Sequence, residues 1–309
     1  MNKKILVIGS ATIDLIFQGA VFSQRKKDGR LSLADGGKYI VDNLYQSFGG
    51  GGANAAVSLA RQGFPVWLWA RLACDDFGKN IMQNLQKEGV GLDFIQRDLP
   101  RSPVSAILLD TEGSRTIINY RSQADILDFS GKVKEAISGF ACLAIFSLAR
   151  WPKERKLEVL KLARQYGLRI FLSLHGDEYR QGLSWVKDYF PFCDILDINI
   201  FELGFVLGRK PADLDLDKEN FSQILGVPMV TVTHDTSGSH FYSQEEIFWQ
   251  SPLEAKRVDT TGAGDAFSAG FLGKYLKTGN TRQSMEFAAQ NAKAEIEVLG
   301  AQTGLLYDK

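Results

Sequence analysis

The chain has 309 residues, and 36 lysine and arginine residues are balanced by 36 aspartate and glutamate residues, so its formal net charge is zero. Without a net positive charge to hold a polyanion, we expect neither nucleic acid nor an acidic membrane surface as a partner. A hydrophobic content of 45% supplies enough apolar side chain for a large folded core and excludes a disordered or fibrous chain.

Short β-branched runs alternate with helical patterns along most of the chain. This alternation predicts an α/β fold with a central, mostly parallel sheet and helices on both faces. We expect the chain, residues 1–309, to form a single domain of this kind. Strands are expected at 4–8, 66–70, 142–146, 169–172, 194–197 and 228–233, and helices at 52–62, 77–88, 153–166, 201–207, 263–277 and 281–299.

Two stretches interrupt this alternation. Residues 12–48 show no helical period, and residues 38–48 alternate like a strand with one solvated face. Residues 104–120 contain a second alternating pair around Glu112-Gly113, a hairpin turn signal. Strands inserted at about 12–48 and 104–120 could form a small β-sheet lid over one edge of the main domain. Periodicity alone is equally compatible with ordinary surface hairpins.

The N-terminus and the cysteines indicate the cellular compartment. Only five largely apolar residues, Ile5 to Gly9, follow the first lysines, which is too short for a signal peptide. No segment approaches the roughly 18 uninterrupted apolar residues of a membrane span. The wide spacing of the three cysteines argues against a zinc cluster or a disulfide framework. We therefore expect a cytoplasmic protein.

The strongest motif is the run 258–267, Val-Asp-Thr-Thr-Gly-Ala-Gly-Asp-Ala-Phe, which opens a predicted helix. Gly262 and Gly264 would let backbone N–H groups converge at a helix N-terminus, where unpaired donors and the helix dipole favour an anion. Asp265 in the first turn has two interpretations. It can stabilise the helix N-terminus, or it can accept a hydroxyl proton while the turn holds the charge of a transferred phosphoryl group. The complete run favours the second interpretation.

Four consecutive glycines, residues 49–52, precede the first predicted helix. Such a run is costly in an ordered structure unless the backbone needs a positive φ or approaches a ligand closely. Asn54 would project from the first turn as a donor and acceptor suited to hydroxyl groups. A flexible hinge would have a similar composition, but a hinge would not be expected to open a helix.

Together these two motifs resemble the signatures of the ribokinase (PfkB) family of carbohydrate and nucleoside kinases, and the similarity extends over almost the whole chain. The resemblance implies a ribokinase-like fold and a kinase that uses ATP and Mg²⁺. It also implies that Asp265 is the base for the substrate hydroxyl and that Asp14 binds sugar hydroxyls. The implied anion hole is Gly262, Ala263 and Gly264, and the implied sugar-binding loop contains Gly49, Gly50, Gly51 and Asn54.

Further matches imply a nucleotide and cation site. Asn199 and Glu202 match the family's Asn-x-x-Glu, which is associated with Mg²⁺ and its phosphate-bound waters; without the resemblance this pattern is a helix capping box. Near the nucleotide the family has Thr-x-Gly-x-x-Gly, where this chain has Thr233, Asp235 in place of the first glycine, and Gly238.

The resemblance also implies that a monovalent cation, with K⁺ as the candidate, braces the anion hole. Asp259 and the Thr261 carbonyl, together with the segment 300–302, would hold it. On the substrate side, residues 115–125 are similar to a segment of fructokinase-like and ketodeoxygluconate-kinase-like members. Arg121 could pair there with a substrate carboxylate or phosphate, or it could be a solvated residue at a strand end.

Departures from the family pattern leave the substrate open. Gly51 stands where ribose kinases carry a lysine, and Ser173-Leu174-His175-Gly176 replaces an Asp-x-Asn. The position where many members place an adenine-side asparagine is Ala289, so Asn291 is not assigned to the nucleotide site.

Three functions compete. The favoured one is a kinase that phosphorylates a hydroxyl, preferentially a primary one, of a small sugar or sugar acid. A nucleoside kinase of the same fold could stack a base on the aromatic residues of the lid region, Phe17, Tyr39, Tyr45 and Phe48. A catalytically idle sugar or nucleotide sensor would be expected to lack the base or the anion hole, and this chain has both. Open strand edges predict a homodimer through the lid.

Overall fold

The structure is a computed structural model that describes residues 3–23, 31–121, 123–124, 126–129, 131–146, 148, 150–174 and 178–308. Residues 24–30 of the predicted lid region lie outside the described residues, as do His175 and Gly176 of the segment that departs from the family pattern. Within the described part of the chain, none of the helices has the length and apolar character that crossing a membrane requires.

The described strands form two sheets. They are β1 (Ile5–Ile8), β2 (Thr12–Gln18), β3 (Asn43–Gly49), β4 (Val66–Ala73), β5 (Gly91–Leu99), β6 (Val104–Leu109), β7 (Arg115–Tyr120), β8 (Cys142–Ile145), β9 (Arg169–Ser173), β10 (Ile195–Asn199), β11 (Met229–Thr233), β12 (Ser239–Ser243) and β13 (Ile247–Gln250). The large sheet has the order β13-β12-β11-β10-β9-β8-β1-β4-β5, and the small sheet has the order β3-β2-β6-β7. In the large sheet β12 pairs antiparallel with both of its neighbours, β11 and β13, and all the other neighbouring strands pair parallel.

Helices cover both faces of the large sheet. They are α1 (Gly51–Arg61), α2 (Asp76–Lys87), α3 (Lys132–Ala136), α4 (Lys153–Gln165), α5 (Leu183–Val186), α6 (Ile200–Leu207), α7 (Phe221–Leu225), α8 (Ala263–Thr278) and α9 (Thr281–Ile296). The central strand β1 illustrates the two cores. Ile5 and Val7 pack into one apolar cluster and Leu6 and Ile8 into the other, because successive side chains of a strand point to opposite faces. All four side chains are fully buried.

The small sheet has a buried face and an open face. Ile16, Ile107 and Leu109 form its own buried cluster. The outer strands β3 and β7 carry apolar side chains on the open face, where Leu44 is 61% and Ile118 is 58% exposed. Strand β2 places Asp14 opposite Ser47 of β3 and opposite Ser105 of β6.

The predicted α/β fold with an added small sheet is confirmed, with some differences in the elements. The expected strand over 38–48 begins only at Asn43, because Asp42 closes the preceding loop: its N–H donates to the Gln18 carbonyl and its carboxylate accepts from the Ala20 N–H. Strands β5, β12 and β13 were not predicted. The predicted strand and helix positions along the rest of the chain agree with the structure to within a few residues.

Candidate active site

Two motifs that are far apart in the sequence meet at the carboxyl ends of the parallel strands. Helix α1 follows the early glycine run, helix α8 follows the late one, and the two helices pack against each other. In the first turn of α1, the Asn54 side chain donates from Nδ2 to Oδ2 of Asp265 in the first turn of α8, at 2.8 Å. The structure therefore brings the two predicted motifs into one site.

A cavity of about 170 Å³ lies beside this hydrogen bond. It is smaller than the roughly 300–1,000 Å³ of pockets that hold drug-sized ligands, so it suits a small polar molecule. The small sheet contributes one wall and the glycine turns contribute the other. The lining residues are Ser10, Thr12, Asp14, Gly50, Gly51, Asn54, Ser105, Ile107, Ile117, Asn119, Arg121, Thr261, Gly262 and Asp265.

Asp14 is buried in the wall of this cavity, where 4% of its surface is exposed. Burial raises the pKa of its carboxyl above the ordinary value, and hydrogen bonds from Ser105 and Thr12 offset part of this effect. Gly49 lies directly behind the carboxylate, and a Cβ at that position would be 2.1 Å from Asp14 Oδ2. The glycine is therefore required because any side chain there would displace the carboxylate.

Arg121, which follows β7, also reaches this cavity. Its Nη2 donates to Asn119 Oδ1 at 2.7 Å and approaches Ser105 Oγ at 3.3 Å. Its positive charge acts on Asp14 and favours the ionised carboxylate. The side chain is partly buried, directly after the end of β7.

The late glycine turn forms the boundary between this cavity and a larger one. Gly262 is the N-cap of α8 with φ 85°, a left-handed conformation that favours glycine. Gly262 and Asp265 face the small cavity, whereas Ala263 and Gly264 line the larger one. The positive end of the α8 dipole thus lies between the two cavities, where it can stabilise an anion.

Asp259 holds this turn in place. Its Oδ1 accepts the Thr261 N–H at 2.9 Å and its Oδ2 accepts the Gly300 N–H at 3.2 Å, and the side chain is 2% exposed. The Thr261 hydroxyl is buried and has no partner among the described residues. A carboxylate, a backbone carbonyl and an unpartnered hydroxyl are oxygen ligands, so this donor set fits a hard cation. Within the described residues, no cluster of three or more histidine, cysteine or acidic side chains could hold a metal ion.

The larger cavity has a volume of about 640 Å³, which is within the range expected for a pocket that encloses a nucleotide. It contains all four predicted nucleotide-side residues, which lie at the ends of β10 and β11 and in the turn after β11. Its lining includes Arg115, Asn199, Phe201, Thr233, Asp235, Gly238, Leu253, Arg257, Phe267, Ala289 and Lys293. Asp235 has φ 44°, so it occupies a left-handed conformation at the position where the family pattern has glycine.

Asn199 and Glu202 form a complete capping box at the start of α6. Asn199 Oδ1 accepts the Glu202 N–H at 2.9 Å, and Glu202 Oε2 accepts the Asn199 N–H at 3.0 Å. Asn199 also lines the larger cavity, whereas Glu202 is 7% exposed and is not among the described lining residues. Their oxygens suit Mg²⁺, which retains several waters and needs few direct protein ligands. The pair therefore fits a water-mediated magnesium site while its direct hydrogen bonds cap the helix.

Asn291 has a structural position, in agreement with its exclusion from the predicted nucleotide site. Its Nδ2 donates to the Ala266 carbonyl at 2.7 Å and to Ser58 Oγ, and its Oδ1 accepts the Leu306 N–H. The side chain is fully buried and ties α9 to α1 and α8. Ala289, two residues earlier, lines the larger cavity.

Sequence analysis did not identify two residues that shape the site. Asp197 on β10 is buried and accepts hydrogen bonds from Thr231 Oγ1 at 2.5 Å and Ser268 Oγ at 2.6 Å, so it anchors the start of α8 to the sheet. A lone aspartate inside an apolar strand is the signal that could have indicated it. Arg115 on β7 donates to Thr260 Oγ1 and thereby links the small sheet to the late glycine turn. No local sequence signal indicates that contact.

Comparisons with known proteins agree with this geometry. Residues 2–307 match the family described as pfkB family carbohydrate kinase. A 2-dehydro-3-deoxygluconokinase of Dickeya dadantii is 27% identical over 97% of this chain and 96% of that protein. A bifunctional ribokinase/ribose-5-phosphate isomerase A of Fructilactobacillus sanfranciscensis is 25% identical over 98% of this chain, which spans 54% of that relative's length. The solved structure of Arabidopsis thaliana ribokinase complexed with ribose and ATP superimposes with a TM-score of 0.80 at 25% identity, covering 99% of this chain and 96% of that one. The chain therefore belongs to the pfkB family of carbohydrate kinases.

Proposed function

We propose that this protein transfers the γ-phosphoryl group of ATP to a hydroxyl, preferentially a primary one, of a small sugar or sugar acid. The observation that carries the proposal is the position of Asp265. This residue faces the small polar cavity, and the turn on which it lies separates that cavity from the nucleotide-sized one. A hydroxyl bound in the first cavity and a phosphate bound in the second would meet at this turn.

Each group at the turn has a role in this reaction. The Asp265 carboxylate accepts the proton of the attacking hydroxyl, and the amides of Gly262, Ala263 and Gly264 with the α8 dipole stabilise the charge on the transferred group. Asp14 and Asn54 orient the substrate by hydrogen bonds to its other hydroxyls.

On the nucleotide side, the cavity proposed for ATP is lined by Asn199, Thr233, Asp235 and Gly238. Asn199 and Glu202 would hold Mg²⁺ through water, and the bound ion would neutralise charge on the nucleotide phosphates. Asp259 and the Thr261 carbonyl would hold a monovalent cation, with K⁺ as the first candidate, and so brace the turn. The relatives named above, one of which was solved with ribose and ATP, support this choice of substrates.

Arg121 extends the proposal to sugar acids. Its guanidinium lies in the substrate cavity, where its charge acts on Asp14. A substrate carboxylate could form a bidentate pair with the guanidinium. A neutral sugar would instead hydrogen-bond to Asn119 and Ser105 beside it.

The alternative of a nucleoside kinase is less well supported by the cavity. At about 170 Å³ the cavity is small for a sugar with an attached base. Phe17, Tyr39, Tyr45 and Phe48, the aromatic residues expected to stack on a base, are not among its described lining residues. An idle sensor would not need a carboxylate hydrogen-bonded beside the anion-binding turn.

The test is a coupled assay of the purified protein with ATP and Mg²⁺ against ketoses, aldoses, sugar acids and nucleosides. We expect turnover with one group of sugars or sugar acids, and loss of turnover when Mg²⁺ is chelated. Asp265→Asn should lower kcat by about 10²–10⁴-fold with little change in substrate binding. Asp76→Asn, an exposed aspartate in the first turn of α2, is the matched control. Near-normal turnover of Asp265→Asn would refute the assignment of the base.

We also propose that the small sheet is a lid and that it joins two chains in a homodimer. Its outer strands β3 and β7 carry Leu44 and Ile118, which are 61% and 58% exposed, and open strand edges favour pairing with another chain. Light scattering at micromolar concentration should show a dimer. Leu44→Lys and Ile118→Lys should shift it towards monomer, and a monomeric parent protein would contradict the proposal.

A further inference from the structure

A line of three amide side chains leads away from Asp265 into the protein. Asn54 Nδ2 donates to Asp265 Oδ2 at 2.8 Å, and Gln302 Nε2 donates to Asn54 Oδ1 at 3.0 Å. Asn84 Nδ2 in turn donates to Gln302 Oε1 at 2.8 Å. Asn54 and Gln302 are 3% and 7% exposed, so the inner links are shielded from water.

All these hydrogen bonds point the same way, and chemistry fixes their direction. An ionised carboxylate only accepts hydrogen bonds, so Asn54 must turn its NH₂ group towards Asp265. Its carbonyl oxygen then faces Gln302 and requires a donor there. Gln302 must therefore present its own NH₂ group to Asn54 and its oxygen to Asn84. Reversal of any one amide would place two donors or two acceptors face to face.

Gln302 is itself fixed by its backbone. Arg61 Nη1 donates to the Gln302 and Leu305 carbonyls, both at 2.9 Å, and the same guanidinium forms an ion pair with Glu88 at 2.8 Å. The preceding residue, Ala301, is buried against Gly262. The segment that carries Gln302 thus has little freedom to move relative to the late glycine turn.

We propose that Gln302 and Asn84 are positioning residues that hold the Asn54 amide with its NH₂ group towards Asp265, so that the carboxylate remains ionised and correctly placed to accept a proton. The part of this inference that concerns proton transfer rests on the proposed function, in which Asp265 is the base. Its structural content, the polarity of the amide line, can be measured without turnover.

Other charged groups lie near Asp265. Asp14 on β2 and Arg121 after β7 line the same cavity. Asp259 in the turn and Asp265 both act on Glu295 of α9 and raise its pKa. None of these groups is altered in the variants below.

The test introduces an acceptor where the line needs a donor. In Gln302→Glu, the new carboxylate accepts a hydrogen bond from Asn84 and, because a carboxylate has no donor, also requires Asn54 to donate one. Asn54 would turn over and present its oxygen to Asp265, which favours the protonated acid. Asn84→Asp imposes the same reversal from farther away, through Gln302. Gln86→Glu, on an exposed position of α2, is the control for added charge.

The direct readout is the ¹³C NMR titration of the Asp265 side-chain carboxyl in aspartate-labelled protein, assigned by its absence in Asp265→Asn. We expect the Asp265 pKa to rise by about one unit or more in Gln302→Glu, to rise by a smaller amount in Asn84→Asp, and to stay at the parent value in Gln86→Glu. An unchanged pKa in the folded Gln302→Glu or Asn84→Asp variant would overturn the inference.

The second readout is the pH profile of kcat with the best substrate. In each line variant its acidic limb should move to higher pH by the same amount as the Asp265 pKa of that variant, with the KM for ATP changed by less than about twofold. A purely structural role for Gln302 would lower kcat equally at all pH values. If the parent protein phosphorylates no acceptor, the proposed function fails, whereas the Asp265 titration still decides this inference.

Discussion

Gly262 and Ala301 pack so closely that a Cβ on Gly262 would lie 2.7 Å from the Ala301 Cβ. The turn that begins α8 therefore closes directly onto the segment that carries Gln302. Because this turn lies between the two cavities, its shape determines where the amide groups point.

The first prediction concerns this contact. Gly262→Ala should destabilise the protein by about 2–4 kcal/mol, since it adds a side chain at φ 85° and against Ala301. It should also lower kcat by about 100-fold or more through displacement of the turn. Gly264→Ala is the matched comparison for stability, because a Cβ there meets no atom within 4 Å. Thermal denaturation of both variants tests this, and equal stability would contradict it.

The second prediction concerns the buried Asp14 carboxyl, whose pKa is raised chiefly by burial. If its ionised form accepts hydrogen bonds from the sugar, affinity for the sugar should fall as the pH decreases, beginning above the pH at which an ordinary aspartate is protonated. Asp14→Asn should weaken sugar binding at neutral pH about 10-fold or more and leave ATP affinity unchanged. Calorimetric titration with each ligand separates the two. Equal loss of both affinities would indicate a general structural defect.

The third prediction concerns stability and pH. Burial raises the pKa of Glu295 to about 8, and one of its oxygens is buried without a partner among the described residues. The folded protein therefore retains a proton that the unfolded chain releases above about pH 4.5, so this residue lowers stability progressively as the pH rises from about 4.5 to 8.

Glu295→Gln keeps an oxygen for the Gly304 N–H and removes the ionisable group. The melting temperature of this variant should fall less between pH 5.5 and 8.5 than that of the parent, by several degrees. Glu286→Gln, at an exposed position of the same helix, should behave like the parent. If Glu295→Gln and the parent lose the same number of degrees, the carboxyl is not protonated in the folded state.

The fourth prediction concerns a buried ion pair between Lys156 of α4 and Glu178. Lys156 Nζ lies 2.5 Å from Glu178 Oε2, the side chains are 1% and 3% exposed, and Tyr189 donates its hydroxyl to Glu178 Oε1. Lys156→Met should destabilise by about 3–5 kcal/mol, because it leaves a buried carboxylate without its counter-charge. The double variant Lys156→Met/Glu178→Gln should recover most of this loss in chemical denaturation. A double variant as unstable as the single one would show that packing dominates.

The parallel strands could be predicted because they are buried on both faces and appear as short continuous apolar runs, such as β1 and β8. The strands that were missed, β5 and β13, are the edges of the large sheet, and β12 lies beside one edge. Strand β5 contains Asp93, Arg97 and Asp98, so its apolar period is weak. An edge strand is stabilised by pairing with a neighbour, which a local pattern does not contain.

For the site, the sequence predicted groups whose function is local, and it missed contacts between distant segments. Both glycine turns were predicted because their backbone geometry depends on nearby residues. The Asn199–Glu202 capping box could also be predicted from its spacing. The hydrogen bonds of Asn54 to Asp265 and Gln302 join residues separated by 211 and 248 positions, so only the folded chain brings them together.

Both sheets contribute to the small cavity. Asp14 and Arg121 come from the small sheet and the residue directly after it, whereas Gly262 and Asp265 begin α8, which packs on the large sheet. A molecule bound there is a non-covalent crosslink between them. By mass action its binding free energy adds to the free energy of unfolding, by about 2.7 kcal/mol when the ligand is present at 100 times its Kd. Melting curves recorded with a library of sugars would consequently rank acceptors before any phosphate has been transferred.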